Sequence, residues 1–246
     1  MSGAARLAVV VAALVAAAPA RAQDRGNGFL FGKPSGSFGI HGGYAIASAG
    51  SDLFSFTTEQ LTLNRGSFNA FSIGAEVAFS LKPTLDLVVG TTYARTSHPS
   101  EFRDWVDNNN LPIQQTTSFT RWPVTASLKW YLTPRGRSLG KFAWVPAKYA
   151  PYVGLGAGRM WYSFAQEGDF IDYDTKNVFG DTFKSSGWTA TAHALAGVEY
   201  SLTPRLALSS EARYQYANAS PGVDFVGFHR IDLSGFAATV GLTVRY

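Results

Sequence analysis

The feature that most constrains the fold is a strict alternation of apolar side chains with small or polar ones. In the last segment, SGFAATVGLTVRY, every second residue from Phe236 to Tyr246 is apolar, and the residues between them are small or polar, up to Arg245. Successive side chains of an extended strand point to opposite faces, so this pattern predicts a β-strand with one apolar side.

The same alternation recurs in seven earlier segments, which predicts eight strands. They lie near 38–46, 71–80, 85–93, 124–132, 152–164, 190–201 and 206–216. Long polar connections at 47–67, 97–117, 165–186 and 217–230 alternate with shorter ones, which is typical of an antiparallel up-and-down meander. The segment DLFSFTTEQLTL also alternates. It leaves open a hairpin above the barrel or two further strands, which would make ten.

A short motif marks one end of the predicted meander. An aromatic residue is followed by leucine two positions on and by proline four positions on, three times in the chain. Proline cannot donate to a β-ladder and ends a strand, so the three copies are predicted to lie at one rim. The motif residues are Phe79, Leu81 and Pro83; Trp130, Leu132 and Pro134; and Tyr200, Leu202 and Pro204.

The N-terminal residues have the pattern of an export signal. Arg6 precedes the apolar run LAVVVAALVAAA, and the small-residue site ARA ends at Ala22. We therefore expect a signal peptide at 1–22, a flexible lead-in at 23–34 and the barrel at 35–246. The chain has no cysteine, which excludes a disulfide scaffold. Removing the signal peptide takes away Arg6 and Arg21, so the net charge falls from +4 to +2, which is too small to indicate a nucleic-acid partner.

Two kinds of closed barrel fit this pattern: a soluble carrier with an apolar interior, and a membrane barrel with an apolar exterior. Ionisable residues share the polar face of the strands, so the membrane barrel is favoured and these residues are predicted to pair across the lumen. They are Glu76, Lys129, Glu199, Glu211, Arg213 and Arg245. Aromatic residues near strand ends are predicted to form interfacial girdles: Phe79, Trp130, Tyr131, Tyr200, Tyr214, Tyr216 and Tyr246.

The last strand carries a more specific signal. Thr239, Gly241, Val244 and Tyr246 have the polar-x-glycine-x-x-apolar-x-aromatic spacing that ends at the final residue of outer-membrane proteins. On this element and the three turns, the chain resembles the small bacterial outer-membrane barrels of the OmpA/OmpX type, without their C-terminal peptidoglycan-binding domain. The resemblance implies an outer-membrane location, short turns in the periplasm, and contacts with lipid, lipopolysaccharide and the barrel-assembly machinery.

Residues that could carry chemistry are few. By parity His41 and His193 face inward, whereas His98 and His229 lie in outer connections. His229 and Ser234 are the nearest equivalent of a lipid-deacylating pair, but their opposite parity argues against contact. The acidic segment lacks the spacing of a calcium loop, so a solvated loop is favoured over a Ca²⁺ site. Its carboxylates are Glu167, Asp169, Asp172, Asp174 and Asp181.

The predicted function is therefore structural or surface-interacting, with the outer connections displayed and no catalysis, cofactor or metal. A narrow solute channel is the main alternative, and a lipid-modifying enzyme is the remote one. Aromatic residues of the outer connections could meet a partner or lipopolysaccharide, or pack on each other, and the external partner is left open. These residues are Phe54, Phe56, Phe102, Trp105, Phe170, Tyr173, Phe179, Phe225 and Phe228.

Overall fold

The computed structural model describes residues 28–107, 109–140, 142–173 and 175–246. The expected signal peptide at 1–22 and the first part of the lead-in lie outside the described residues. Within the described part of the chain, no α-helix has the length and apolar composition needed to cross a bilayer.

Eight long strands form a closed antiparallel barrel. Each strand pairs with its sequence neighbours, and the last pairs with the first, so that no sheet edge remains open. This confirms the predicted all-β up-and-down barrel. The strands are β1 (Gly36–Ala47), β2 (Ala70–Lys82), β3 (Leu85–Val106), β4 (Pro112–Tyr131), β5 (Tyr149–Ile171), β6 (Val178–Ser201), β7 (Leu206–Ala219) and β8 (Gly235–Arg245).

Both alternatives for the segment that follows β1, a hairpin above the barrel and two further strands, are wrong, because this segment forms helix α1 (Asp52–Gln60). Its alternation is also compatible with a helical face, since Leu53, Phe54 and Thr57 lie on one side and are buried. A 3₁₀ turn, Arg65–Phe68, then leads into β2. The sequence of this segment fits both the period of a strand and the period of a helix. The helix forms because its apolar face is buried against the mouth of the barrel.

Two of the four expected outer loops are largely strand. β3 runs to Val106 and β4 begins at Pro112, while β5 runs to Ile171 and β6 begins at Val178. Their sequences are more polar than the rest of the strands because the outward face meets water, while the inward face buries polar as well as apolar residues, among them Gln115 and Phe170. A β-ladder needs no apolar side to form. The other two outer connections contain α1 and the 3₁₀ turn Arg65–Phe68, and the 3₁₀ turn Val223–Phe225 with the short strand Ile231–Asp232.

At the opposite end, the connection after β4 folds over the barrel opening. Its short strands Gly136–Leu139 and Ala143–Pro146 form a hairpin, and Leu30–Phe31 adds a third strand. Leu30 and Trp144 pair in this small sheet and are both buried. Two residues of the expected lead-in, Leu30 and Phe31, are therefore paired with the hairpin.

The outward face of the barrel is an apolar belt between two aromatic girdles. The girdles are separated by about 8–12 residues, roughly 20–30 Å along the axis at a tilt near 40°. Exposed belt residues include Ile40, Ile73, Val89, Val124, Leu128, Leu155, Val240 and Leu242. The girdle at the short-turn end contains Phe79, Trp130, Tyr149, Tyr200 and Tyr246, and the other contains Tyr44, Phe71, Tyr93, Trp122, Trp161, Trp188, Tyr214, Tyr216 and Phe236.

Two residues depart from this pattern. The sequence placed Tyr131 in a girdle, and this prediction is wrong. Tyr131 faces the lumen, with 1% of its surface exposed. Trp130 points outward, so its neighbour on the strand must point inward. Arg159 lies on the belt beside Val124 of β4 and Ala190 of β6. It is the one ionisable side chain among the described outward residues between the girdles.

Candidate functional site: the closed lumen and its external cap

A buried ionic network fills the middle of the lumen. Lys129 Nζ lies 3.1 Å from Glu76 Oε1 and 3.5 Å from Glu211 Oε2. Glu211 also accepts hydrogen bonds from the Arg213 guanidinium at 2.8 Å and from the Tyr152 hydroxyl at 3.1 Å. The strands place these residues on inward positions of β2, β4, β5 and β7, so one lysine links strands from different sides of the barrel.

A second group of charges lies nearer the short turns. Arg245 Nη2 is 3.1 Å from Glu199 Oε2, and Tyr131 donates its hydroxyl hydrogen to the same carboxylate. Arg135 Nη1 lies 2.7 Å from Asp86 Oδ2. With these pairs, the structure brings together all six ionisable residues that the sequence placed on the inward face. Below them the hairpin carrying Trp144 covers the opening, leaving a cavity of about 220 Å³ that Arg135 and Arg245 line.

The two inward histidines serve as hydrogen-bonding partners within the lumen. His193 Nε2 lies 2.8 Å from the Ser127 hydroxyl, and His41 Nε2 lies 3.1 Å from the Thr92 hydroxyl. Both histidines face the lumen as their parity predicts, and both contact a hydroxyl on a neighbouring inward position. They form no cluster with other metal ligands in the described part of the chain.

An aromatic plug closes the mouth of the barrel at the end opposite the short turns. Helix α1 inserts Phe54 between Phe68, Phe119 and Phe164, with ring centroids 4.7, 5.3 and 5.6 Å away. Phe225 from the connection between β7 and β8 adds a further ring 5.5 Å from Phe164. Edge-to-face packing of this kind adds to the burial energy of each ring. The plug is completed by Leu53, Met160, Tyr162, Ile231 and Leu233, all buried.

The sequence left open whether the aromatic residues of the outer connections meet a partner or pack on each other, and the plug accounts for some of them. Phe54 and Phe225 belong to the plug, Phe228 packs against it, and other members pack in smaller groups at the same end of the barrel. The ring pairs are Phe56 with Phe228 at 5.5 Å, Trp105 with Tyr173 at 6.3 Å, and Phe170 with Phe183 at 4.6 Å and with Phe179 at 6.1 Å, whereas Phe102 is placed by a backbone bridge to Leu61. Mutual packing therefore accounts for these rings other than Phe102, although Phe56, Tyr173 and Phe179 stay more than one-third exposed.

The geometry does not assemble a deacylating pair. His229 Nδ1 lies 2.7 Å from Asp52 Oδ2, and His229 is almost fully exposed. Ser234 instead donates its hydroxyl hydrogen to the Ala217 carbonyl within the buried mouth. The hydrogen bonds that His229 donates lower the pKa of the Asp52 carboxyl. The same contact holds the start of α1 against the connection between β7 and β8.

The acidic segment does not form a cation site among the described residues. Glu167 and Asp169 lie on β5, and Asp181 lies on the facing part of β6, so the ladder holds them apart along exposed strand extensions. Asp172 lies in the turn between the strands, and Asp174 lies outside the described residues. Glu167 and Asp169 share one face of β5, whereas Asp181 pairs with Gly168 and lies on the opposite face. Ca²⁺ needs six or more oxygens around one point, which this division does not provide.

The predicted turn and terminal motifs lie at one end of the barrel. Their aromatic residues and the leucines two positions further on are exposed at the rim, and the prolines lie in the turns. In β8, Thr239 and Gly241 face the lumen, whereas Val244 and Tyr246 face outward. The Tyr246 carbonyl accepts hydrogen bonds from Ser35 and Gly36, which secures the seam between the last and first strands.

Three charged lumen residues were not predicted from the sequence, although parity identifies two of them. Asp86 lies between Leu85 and Leu87, so the outward leucines place it inward. Arg121 follows from extending the alternation of β4 above Val124, in a stretch that the analysis left unassigned. Arg135 carried no such signal, because it lies in the connection after β4 and turns back into the lumen to reach Asp86.

Comparison with known proteins gives likeness of fold. No family model matches the sequence. No curated protein matches it either. Among the solved structures similar to this one, Neisserial surface protein A has a TM-score of 0.47 and 15% identity, and the match covers 91% of this chain and 100% of that chain. OprG from Pseudomonas aeruginosa has a TM-score of 0.45 and 13% identity, with 88% of this chain and 99% of that chain covered. Ail of Yersinia pestis has a TM-score of 0.43 and 12% identity, with 87% of this chain and 99% of that chain covered. The strand pairings establish the fold on their own: the chain is a small up-and-down β-barrel of eight antiparallel strands.

Proposed function

We propose that this protein is an outer-membrane barrel that displays an ordered external cap and acts through structure and surface contact, without conduction or catalysis. One observation carries the proposal: an apolar exterior encloses a lumen that is filled with ionic pairs and closed by an aromatic plug. Only a closed barrel lets strands cross lipid with every backbone polar group paired. An exterior of this composition would be exposed to water in a soluble carrier, at high free-energy cost.

The external cap supports the surface-contact role. Helix α1, both 3₁₀ turns and the extended hairpins form a structure above the upper girdle, held by the plug and by the contact between Asp52 and His229. Apolar side chains remain exposed on this cap, including Val106, Leu111, Val223 and Val226, the last two above 80%. Ordered apolar residues on a displayed surface are typical of a contact site for a protein or a lipid surface.

The orientation is tested by cysteine labelling, because the chain has no cysteine of its own. Val226→Cys on the cap should react with a membrane-impermeant maleimide on intact cells. Lys82→Cys, at the short-turn end, should react only after the outer membrane is permeabilised. Labelling of both variants on intact cells, or of Lys82→Cys alone, contradicts the proposed display of the cap.

The closed lumen is tested by planar-bilayer recording of the purified protein. The wild type should give no stepwise conductance, since the plug and the network around Lys129 occupy successive levels of the lumen. Incubation with lipopolysaccharide should release no fatty acid, as His229 and Ser234 make no contact. Reproducible conductance steps in the wild type would replace this proposal with a narrow channel.

A further inference from the structure

A small cavity lies between the aromatic plug and the ionic network. Its volume is about 50 Å³, and it exists because short residues face one another across this level of the lumen. Ala45, Ala94, Gly235 and Ala237 all line it from inward positions of β1, β3 and β8. Below it are Glu211 and Arg213 of the network, and above it is Met160 of the plug.

Arg121 is the cation that lines this cavity without an ion pair. Only 8% of its surface is exposed, and its Nη2 atom has no hydrogen-bond partner among the described residues. Its Nη1 atom donates a long hydrogen bond of 3.4 Å to the Ser234 carbonyl, and its guanidinium lies 5.3 Å from the Phe119 ring centre. A buried guanidinium without a counter-charge carries a large desolvation cost.

A second unpartnered donor lines the same cavity. Ser72 is 5% exposed, and its hydroxyl has no hydrogen-bond partner among the described residues. Ser72 pairs across the sheet with Ala94, and Ala94 pairs with Arg121, so the two polar residues flank one alanine in a single cross-strand row. A positive charge and a hydroxyl donor therefore border the same small space.

Among the described residues no carboxylate lies within ion-pair distance of Arg121, and Asp232 acts on it electrostatically only from further away. Both oxygens of Glu211 are engaged by Arg213, Tyr152 and Lys129. Asp232 accepts hydrogen bonds from the backbone N–H groups of Gly50 and Ser234, and it forms no ion pair with Arg121. The other lumen cations within the described residues, Lys129, Arg135, Arg213 and Arg245, each have a carboxylate within 4 Å.

We propose that this cavity is a binding site for one small monovalent anion of the halide class, held by Arg121 Nη2 and the Ser72 hydroxyl. The volume exceeds the roughly 10–15 Å³ that one water needs, and it is too small for an organic acid of several carbons. Water would satisfy the two donors but leave the charge of Arg121 uncompensated. A halide does both, because it accepts hydrogen bonds and carries the missing negative charge.

The test measures the unfolding equilibrium constant of the protein during refolding into detergent micelles. It compares chloride with gluconate at equal ionic strength, because gluconate is too large for the cavity. At concentrations well above half-saturation, each tenfold rise in chloride should lower the unfolding equilibrium constant of the wild type about tenfold. R121M should lose this dependence, and R121K should keep it. With methionine at position 121, the Ser234 carbonyl still accepts a hydrogen bond, because the Ser48 N–H also donates to it at 3.0 Å. The matched control R159M, on the outer belt, should respond as the wild type does.

Crystals of the wild type grown in bromide provide a readout that does not depend on any variant. An anomalous peak is expected in the cavity beside Arg121. The proposal is overturned if no such peak is present, or if R121M and the wild type respond equally to chloride. If R121M does not form a barrel, judged by its β-sheet circular dichroism and heat-dependent gel mobility, the bromide peak decides alone.

Discussion

At the scale of single residues, the lumen is organised around one buried lysine. Lys129 has a side chain 3% exposed, and it is shared by two carboxylates that come from different strands. Ion pairs in a low-dielectric interior add little net stability over apolar packing, yet removing one partner leaves a buried charge uncompensated. The network therefore matters most for specificity: it favours one register of eight strands whose apolar outer faces would tolerate several.

Removing the charge of Lys129 should be more damaging than removing the whole pair. Lys129→Met leaves Glu76 without its cation, and we expect a loss of about 3–5 kcal/mol in the free energy of unfolding. Adding Glu76→Gln should restore part of that loss, since the uncompensated charge is then gone. Urea unfolding in detergent micelles, followed by tryptophan fluorescence, measures both variants.

Lys184→Met serves as the matched control for this pair, because Lys184 is exposed on the outward face of β6 above the girdle. Its effect should stay within about 0.5 kcal/mol. An equal loss for Lys129→Met and Lys184→Met, or no recovery in the double variant, would show that the network does not stabilise the lumen as described.

At the scale of elements, each strand is defined by which of its two faces meets lipid. Arg159 breaks the outer pattern, but it lies two residues from Trp161 of the upper girdle, so its long side chain can extend to the interface. Leu128 faces outward near the middle of the belt, where it is 51% exposed. The cost of an exposed charge should therefore depend on depth rather than on strand.

We expect Leu128→Arg to cost about 2–4 kcal/mol in unfolding experiments from lipid vesicles, and Arg159→Leu to change stability by less than about 1 kcal/mol. The first places a charge near the bilayer middle, and the second removes a charge whose long side chain can extend toward the headgroups. A lipid-facing belt would be contradicted if the two substitutions changed the free energy of unfolding equally. It would also be contradicted if each substitution had the same effect in lipid vesicles as in detergent without urea.

The sequence predicted the elements that obey a period of two and missed those that do not. Strand number, the inward charges and the rim turns follow from alternation, because one face must be apolar and the other must not. Helix α1 was not predicted, since its short apolar spacing fits both periods and only the mouth of the barrel selects the helix. The plug was missed for a related reason: Phe68, Phe119 and Phe164 meet only after three separate segments close over the lumen.

At the scale of the whole molecule, the barrel depends on a seam between chain ends. β8 pairs with β1 along its full length, from Gly235 opposite Ala47 to Arg245 opposite Ser37. Contacts so distant in sequence form late in folding because of the large loop that must close first. A cell that inserts such a barrel into a membrane therefore needs a way to recognise the last strand before the seam has formed.

Tyr246→Asp tests whether the last strand acts as this recognition element. If it does, the variant should be depleted from the outer membrane and degraded in the periplasm, measured by fractionation and immunoblotting. Tyr149→Asp is the matched control, because Tyr149 is also an outward aromatic at the short-turn rim, 60% exposed against 51% for Tyr246. Both purified variants should refold in detergent to a similar extent, since both change the same girdle. Equal depletion of the two variants in cells would mean that the girdle alone, and not the terminal strand, determines assembly.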